Sequence, residues 1–312
     1  MGALITGITG QDGYYLARLL HELGTDVWGT TRSATSPRDL DFARIVQIAD
    51  YADQQRLERV IVEANPDEIY HLAAQSSVAA SWEDPVATAD ITGLGTLRLL
   101  EAVRNVAPAA RVFVASSSEI FGEPAHAPQD EQTPIRPTSP YGAAKAFAHH
   151  VATMYRQRYG LFIAIGILYN HESPRRSPSF VAQKIVQGAV AIARGQQSEL
   201  RLGNLEARRD WGFAGDYVRA MRLMLQQPVP DDFVVATGET HAVREWCELA
   251  FAHVGFDYRK YVTSDRQFWR PAEAVSLMGD PTKAKRELGW AAATSFCDLV
   301  TIMVEAELSQ RS

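Results

Sequence analysis

Two short segments carry residue types that together could move protons and hydride. The first reads Ser139-Pro140-Tyr141-Gly142-Ala143-Ala144-Lys145. A serine before a proline marks a helix start: the hydroxyl caps free N–H groups, and proline fits the first helical position. Tyr141 and Lys145 then stand four apart, on one helix face. A free phenol, with a pKa of about 10, is a poor base at neutral pH. A neighbouring ammonium and the positive end of a helix both favour the phenolate. Tyr141 is therefore the candidate general base for an alcohol being oxidised, with Lys145 tuning it and holding a ribose. Tyrosine and lysine at this spacing are common, so the pair needs a partner.

That partner is Ser116-Ser117-Ser118-Glu119, directly after an apolar run that reads as a strand. Hydroxyls at the carboxyl end of a central strand sit where ligands bind in open parallel sheets. One of them can hydrogen-bond the oxygen that Tyr141 deprotonates. Glu119 is the unusual member. Hydride transfer alone needs no extra carboxylate, whereas removing a C–H proton beside a carbonyl does. Glu119 thus points to proton abstraction from the carbon next to a newly formed ketone. Without these neighbours it would read as a surface or capping glutamate.

Gly7-Ile8-Thr9-Gly10-Gln11-Asp12-Gly13 follows the first apolar run and opens a helical pattern. This is the G-x-x-G-x-x-G form of the dinucleotide fingerprint: glycines let the backbone approach a pyrophosphate, and the helix end offers N–H groups. The end of the second strand reads Gly29-Thr30-Thr31-Arg32-Ser33, with no acid. A carboxylate there selects NAD, and an arginine favours the 2′-phosphate of NADP. Arg32, with Ser33 adding a hydroxyl, therefore predicts NADP, although a lone arginine also suits a solvated surface. Asp50, after the third strand, is a candidate for the adenine edge or simply an exposed loop residue.

These groups need a scaffold. Candidate strands are Gly2–Thr6, Asp26–Thr30, Arg44–Ile48, Glu68–Leu72, Arg111–Ala115 and Phe162–Leu168. Helical patterns lie between them, such as Gly13–Leu23 with Leu16, Leu19, Leu20 and Leu23 on one face. Strands alternating with such helices make βαβ units and a parallel sheet. The fold class predicted is α/β: a Rossmann-type doubly wound parallel sheet with a smaller, interleaved α/β substrate-binding domain. The expected division is 1–168 for the cofactor, with 210–238 returning to it, and 169–312 mainly for substrate. In the second half, Glu172–Ser179, Gly203–Gly212 and Arg266–Pro281 read as loops rich in proline, arginine and glycine. Loops of this kind carry specificity on a rigid scaffold.

The chain has 312 residues, enough to bury roughly three quarters of its unfolded surface. A net charge of -6 argues against a nucleic-acid partner. Cys247 and Cys297 have no metal or redox spacing and are expected to be reduced, buried thiols. No metal is predicted. No apolar run approaches the roughly 20 residues of a membrane helix. The start of the chain runs straight into Ala3-Leu4-Ile5 without a basic leader, so a cytoplasmic location is expected.

With these residues the chain resembles the GDP-mannose 4,6-dehydratases of the extended short-chain dehydrogenase/reductase superfamily. The resemblance spans almost the whole chain. Its markers are Thr6 to Gly13, Leu72-Ala73-Ala74-Gln75-Ser76, the serine run ending in Glu119, and Asn170-His171-Glu172-Ser173-Pro174-Arg175. Later markers are Gly203-Asn204, Arg209-Asp210-Trp211-Gly212, Ala236-Thr237-Gly238-Glu239-Thr240 and Arg270-Pro271-Ala272-Glu273. The resemblance implies a catalytic set of Ser117, in place of the usual threonine, with Glu119, Tyr141 and Lys145. It implies NADP against Gly7, Thr9, Gly10, Gln11, Asp12, Gly13, Arg32, Asp50, Leu72, Ala74, Ser76, Tyr141 and Lys145. It places a GDP-sugar against Ser76, Ser117, Glu119, Asn170, Val181, Lys184, Arg209, Arg270 and Glu273. Arginines and a lysine suit a diphosphate, and Glu273 suits the N1–H and amino group of guanine.

The implied reaction is C4 oxidation, loss of water across C5 and C6, and return of hydride to C6. Three rivals stay open: dehydration of a GDP-heptose, reduction or epimerisation of a GDP-sugar, and a non-catalytic NADP-binding regulator. The segment Thr31–Ala43 is shorter than the family's arginine-rich loop, which reaches a neighbouring subunit. A homodimer through Ile91–Val106 and Pro140–Tyr159, or a homotetramer, is expected.

Overall fold

The computed structural model of the chain describes residues 1–32, 38–48, 52–268 and 277–310. Ser33, Asp50, Arg270 and Glu273 lie outside the described residues.

The main sheet is built from β1 (Gly2–Thr6), β2 (Asp26–Thr31), β3 (Arg44–Gln47), β4 (Glu68–His71), β5 (Arg111–Ser117), β6 (Ile163–Leu168) and β11 (Asp232–Val235). Among the described residues its order is β11-β6-β5-β4-β1-β2-β3. The registered pairings are all parallel. Strand order reverses between β1 and β4, and this is where a doubly wound sheet opens a crevice at its carboxyl edge. Apolar runs rather than alternating patterns fit strands covered on both faces. All four residues of β4 and all six of β6 are buried.

Helix α1 (Gln11–Glu22) buries Leu16, Ala17 and Leu20 against the sheet and packs beside α8 (Ala214–Leu225). On the other face, α2 (Gln54–Ala64), α5 (Gly95–Val106) and α6 (Pro140–Tyr159) cover Leu4, Ile69, Val112 and Ile163. The expected strands and the first helix therefore form, with ends shifted by one or two residues. Ahead of α5 the chain runs through α3 (Val78–Glu83), α4 (Pro85–Thr88) and a π-helical stretch, Ala89–Leu94. The expected element Ile91–Val106 is thus part π-helix and part α-helix.

After β6 the chain builds a second, smaller body. Its strands are β7 (Asn170–Glu172), β8 (Leu200–Leu202), β9 (Arg208–Arg209), β10 (Trp211–Phe213), β12 (His241–Ala242) and β13 (Val262–Ser264). They pair as β10 with β7, β12 with β9, and β13 with β8. Helices α7 (Val181–Ala193), α9 (Val243–His253) and α10 (Phe296–Ser309) close a core of Ile185, Val190, Trp211, Trp246 and Met303. Two segments read as loops thus contain short strands. The chain passes between the bodies more than once: α8 and β11 return to the first, and Ala284, Leu288 and Trp290 join the core around α1.

Cys247 is buried, but Cys297 is exposed, contrary to expectation. On α10 the neighbouring Phe296 turns inward and stacks on Trp211, with ring centroids 6.2 Å apart. The next helical position is rotated towards solvent. No helix among the described residues is long and apolar enough to cross a membrane.

Candidate active site

β5 runs two residues beyond its expected end, so Ser116 and Ser117 are ladder residues paired with Ile167 and Leu168. The chain then turns through one 3₁₀ turn, Ser118–Ile120, and Ser117 Oγ accepts the Glu119 backbone N–H at 3.3 Å. Helix α6 begins as expected: Ser139 Oγ accepts the Gly142 N–H at 3.0 Å, and Pro140 opens the first turn. The first turn of α6 abuts the Glu119 turn so closely that a Cβ at residue 142 would stand 2.5 Å from the Glu119 carbonyl oxygen. Only glycine allows this approach, which brings Tyr141 into hydrogen-bonding contact with Ser117.

Lys145, one turn on, donates its ammonium to the Ala115 carbonyl at 2.7 Å. Burial pushes the Tyr141 phenol up to about 12, with the Glu119 charge adding to the rise and Ser117 opposing it. Burial also brings Lys145 down to about 8. The expected depression of the tyrosine is thus not realised by the protein alone, because desolvation outweighs Ser117 and Arg176. A phenol this buried keeps its proton until a hydroxyl or a positive charge arrives beside it.

The phosphate loop is tied to the second body by side chains. Gln11 Nε2 donates to the His171 carbonyl at 3.0 Å, and Ser173 Oγ donates to Gln11 Oε1 at 2.8 Å. Asp12 Oδ2 lies 2.9 Å from His171 Nε2. Burial would raise the Asp12 carboxyl, but the His171 charge and hydrogen bond leave it lowered. Burial likewise opposes the His171 charge, yet Asp12 lifts its pKa above the usual value. Glu172, buried and raised by that burial, pairs with Arg176 at 2.9 Å.

One cavity of roughly 1380 Å³ opens between the two bodies. It exceeds the usual range for a single small ligand, about 300–1,000 Å³, and has room for two. Gly7, Thr9, Gly10, Gln11, Asp12, Gly13, Arg32, Leu72, Ala74 and Ser76 line it. Ser117, Glu119, Tyr141, Lys145, Asn170, Val181, Lys184 and Arg209 line it as well. Every expected site residue that is described therefore faces one space. Glu172, Arg176, Phe180, Asn204 and Trp211 line it too, without having been singled out as ligands. Arg176 sits over the Phe180 ring at 3.5 Å and follows Arg175 directly; this arginine pair after Pro174 was the signal available in the sequence. No cluster of histidine, cysteine or carboxylate side chains fit for a metal ion occurs among the described residues.

Fold and cavity together define a nicotinamide-dependent enzyme of the extended short-chain dehydrogenase/reductase class. A UDP-glucose 4-epimerase from Thermotoga maritima, solved with UDP-glucose, superposes with a TM-score of 0.88, at 27% identity over 98% of each chain. A dTDP-glucose 4,6-dehydratase from Streptomyces venezuelae, solved with NAD, gives 0.87 at 25% identity over 100% of this chain and 98% of that one. A family model, GDP-mannose 4,6 dehydratase, matches residues 4–303. GDP-mannose 4,6 dehydratase 2 of Arabidopsis thaliana is 47% identical over 98% of this chain and 86% of its own length. The human GDP-mannose 4,6 dehydratase is 43% identical over 98% of this chain and 91% of its own. The chain belongs to the GDP-mannose 4,6-dehydratase family.

Proposed function

We propose that this enzyme removes water from GDP-mannose to give GDP-4-keto-6-deoxymannose, a hydro-lyase reaction, with NADP as its resident cofactor. The observation that carries this reading is Glu119 in one cavity with Ser117, Tyr141 and Lys145. A simple reductase or epimerase has no use for a carboxylate there.

The glycine-rich turn and the α1 terminus suit the pyrophosphate, and Leu72, Ala74 and Ser76 line the wall beyond it. Arg32, exposed at the end of β2 and lining the cavity, suits the 2′-phosphate. When bound, the nicotinamide supplies a reversible hydride store, filled from C4 and emptied at C6. Tyr141 takes the C4 hydroxyl proton while Ser117 hydrogen-bonds the same oxygen. Lys145 holds the ribose and adds positive charge as the phenol ionises. The C4 ketone acidifies C5–H, and Glu119 removes that proton. The protonated Glu119 then gives that proton to the departing C6 hydroxyl, and a solvent-derived proton returns to C5 as hydride reaches C6. Asn170, Val181, Lys184 and Arg209 hold the GDP-sugar, together with Arg270 and Glu273 from outside the described residues.

The body built on 1–168, with 210–238, would serve the cofactor, and 169–312 mainly the substrate. The same reading includes a homodimer. Trp82, Val86, Leu94, Phe147 and Met154 are 65%, 78%, 40%, 41% and 54% exposed on the layer formed by α3 to α6. On α6, Phe147 and Met154 stand seven apart on one outward stripe, which a second copy would cover. Light scattering on Phe147→Asp tests this, and an unchanged mass would remove the stripe from the interface.

The decisive experiment is mass spectrometry of GDP-mannose incubated with enzyme and catalytic NADP. Loss of one water from the sugar without net cofactor reduction is the expected result. Untouched GDP-mannose with cofactor-loaded enzyme would overturn the substrate assignment and direct the search to a GDP-heptose.

A further inference from the structure

β9 is only two residues long, Arg208 and Arg209, and both line the cavity. It pairs antiparallel with β12, Ala242 opposite Arg208 and His241 opposite Arg209. A ribbon this short is marginal in water and has to be held from outside. The start of α9 does this. Val243 N–H donates to the Ala207 carbonyl at 3.0 Å, and Arg244 N–H donates to the Leu205 carbonyl at 2.8 Å. The open donors of a helix N-terminus are thus used on the stretch that carries Gly203, Asn204, Glu206 and Ala207 along the cavity wall.

Glu245, in the first turn of α9, ties both strands of the ribbon. Its Oε1 accepts the Ala242 N–H at 3.0 Å and Arg208 Nη1 at 3.1 Å. Its Oε2 accepts His241 Nδ1 at 2.8 Å. A glutamate at this helical position ordinarily makes only the first of these bonds, reaching back to the N–H of the cap residue. The other two come from side chains of the paired strands. Burial would raise the Glu245 carboxyl, but the Ala242 N–H, His241 and Arg208 leave it lowered. On its other side Arg208 is held by Thr240, whose Oγ1 accepts Nε at 3.1 Å and whose carbonyl accepts Nη2. The His241 ring lies flat on Phe296, with centroids 3.9 Å apart, and Phe296 meets Trp246 edge-on at 5.3 Å. The ribbon is thereby fastened to α9 and to the core of the second body.

We propose that Glu245 is a positioning residue for the diphosphate of the substrate: it holds the β9–β12 ribbon so that Arg209 meets the phosphates. The proposal rests on the reading that Arg209 holds the GDP moiety. Glu245 itself does not line the cavity, so it reaches the substrate only through the ribbon. Its effect falls on binding of the sugar nucleotide and not on the chemical step. Removing the carboxylate leaves the strand side chains without their common acceptor, and the guanidinium beside the phosphates loses its fixed backbone.

The test is steady-state kinetics of the full chain loaded with NADP, with GDP as a competitive inhibitor. Glu245→Ala raises KM for GDP-mannose about tenfold and weakens GDP inhibition by the same factor, with kcat within about threefold. Glu245→Gln, whose amide oxygen still accepts from Ala242 and Arg208, stays within about threefold of the parent in all three quantities. A merely structural role would lower the active fraction, and so kcat, at unchanged KM. That pattern overturns the proposal, as does a rise in KM that GDP inhibition does not follow. Should Glu245→Ala fail to fold, Arg208→Met removes one tie alone and raises KM about threefold, and an unmoved KM counts against the proposal equally. Arg209→Ala run alongside separates the two claims. A KM unmoved by Arg209→Ala overturns the assignment of Arg209 itself. A KM raised by Arg209→Ala but unmoved by Glu245→Ala overturns only the role given to Glu245.

Discussion

Asp12 Oδ2 and His171 Nε2 stand 2.9 Å apart although 159 residues of chain separate them. The other ring nitrogen lies 2.7 Å from the Tyr169 carbonyl, which can only accept, so both nitrogens carry protons and the imidazole is charged. Asp12 also sits in the first turn of α1, where the helix favours an anion. The pair joins the glycine-rich turn to the second body by a buried ionic contact.

Breaking one partner of a buried pair strands the other. Asp12→Asn is expected to cost about 3–5 kcal/mol of stability, and His171→Gln a similar amount. The double variant should cost clearly less than the sum, because neither charge is then left alone. Urea unfolding of the four proteins measures this, and additive losses would show that the pair is not coupled. The pH window follows from the signs. The His171 contribution is full below its usual 6.5 and fades as pH rises through its raised value. The Asp12 contribution is full above its usual 3.8 and fades as pH falls through its lowered one.

On the proposed reading, the chemistry divides between two side chains that single changes can separate. Tyr141→Phe keeps the ring packing and removes the proton acceptor, so kcat should fall about 10²–10⁴-fold. Neither oxidised sugar nor reduced cofactor should accumulate. Glu119→Gln leaves Tyr141 in place. Single-turnover mixing should then show slow cofactor reduction but no release of the 6-deoxy product and no deuterium uptake at C5 from heavy water. Full product formation by Glu119→Gln would remove the carboxylate from its role.

The sheet and the catalytic helix were legible because local signals agree there. Six apolar runs became strands within a residue or two, and Ser139-Pro140 started α6 where capping chemistry puts a helix start. What sequence patterns do not carry is charge balance after burial. The rule that a lysine one turn away depresses a tyrosine ignores the solvent that folding removes, and Tyr141 rises instead. Contacts between distant segments were equally hidden: nothing in the spacing of Gln11, His171 and Ser173 announces that they meet. Arg176 lay in the Glu172–Ser179 loop without being singled out, because sequence alone does not show which loop arginine is buried. Burial against Glu172 and Phe180 gives it another setting.

On the proposed reading, Arg32 decides between the two nicotinamide dinucleotides. It is exposed just after β2, and Gln47 Nε2 donates to its carbonyl at 3.1 Å, which fixes the backbone. A charged hydrogen bond to a phosphate contributes about 1.5–3 kcal/mol. Arg32→Ala should therefore weaken NADP binding about 10- to 100-fold and leave NAD binding within about twofold. Calorimetric titration with each dinucleotide distinguishes this from a general loss, in which both affinities would drop together.

His71 offers the clearest acid-stability signature. It ends β4, and its ring bridges Thr6 Oγ1 at 2.8 Å and Thr96 Oγ1 at 3.1 Å with almost no exposure. Burial, helped by the Lys145 charge, holds its pKa down at about 3. The unfolded chain binds a proton at this residue below about 6.5 and the folded protein does not, so stability falls as pH drops from there towards the folded value. Between pH 7.5 and 5 the loss from this residue alone is about 2 kcal/mol. His71→Gln keeps a donor and an acceptor for the two threonines and removes the titration. Its unfolding free energy, compared with the parent at both pH values, should lose about 2 kcal/mol less on acidification. Parallel pH profiles for the two proteins would mean that His71 already carries its proton in the folded state, and the neutral bridge between β1 and α5 would have to be redrawn.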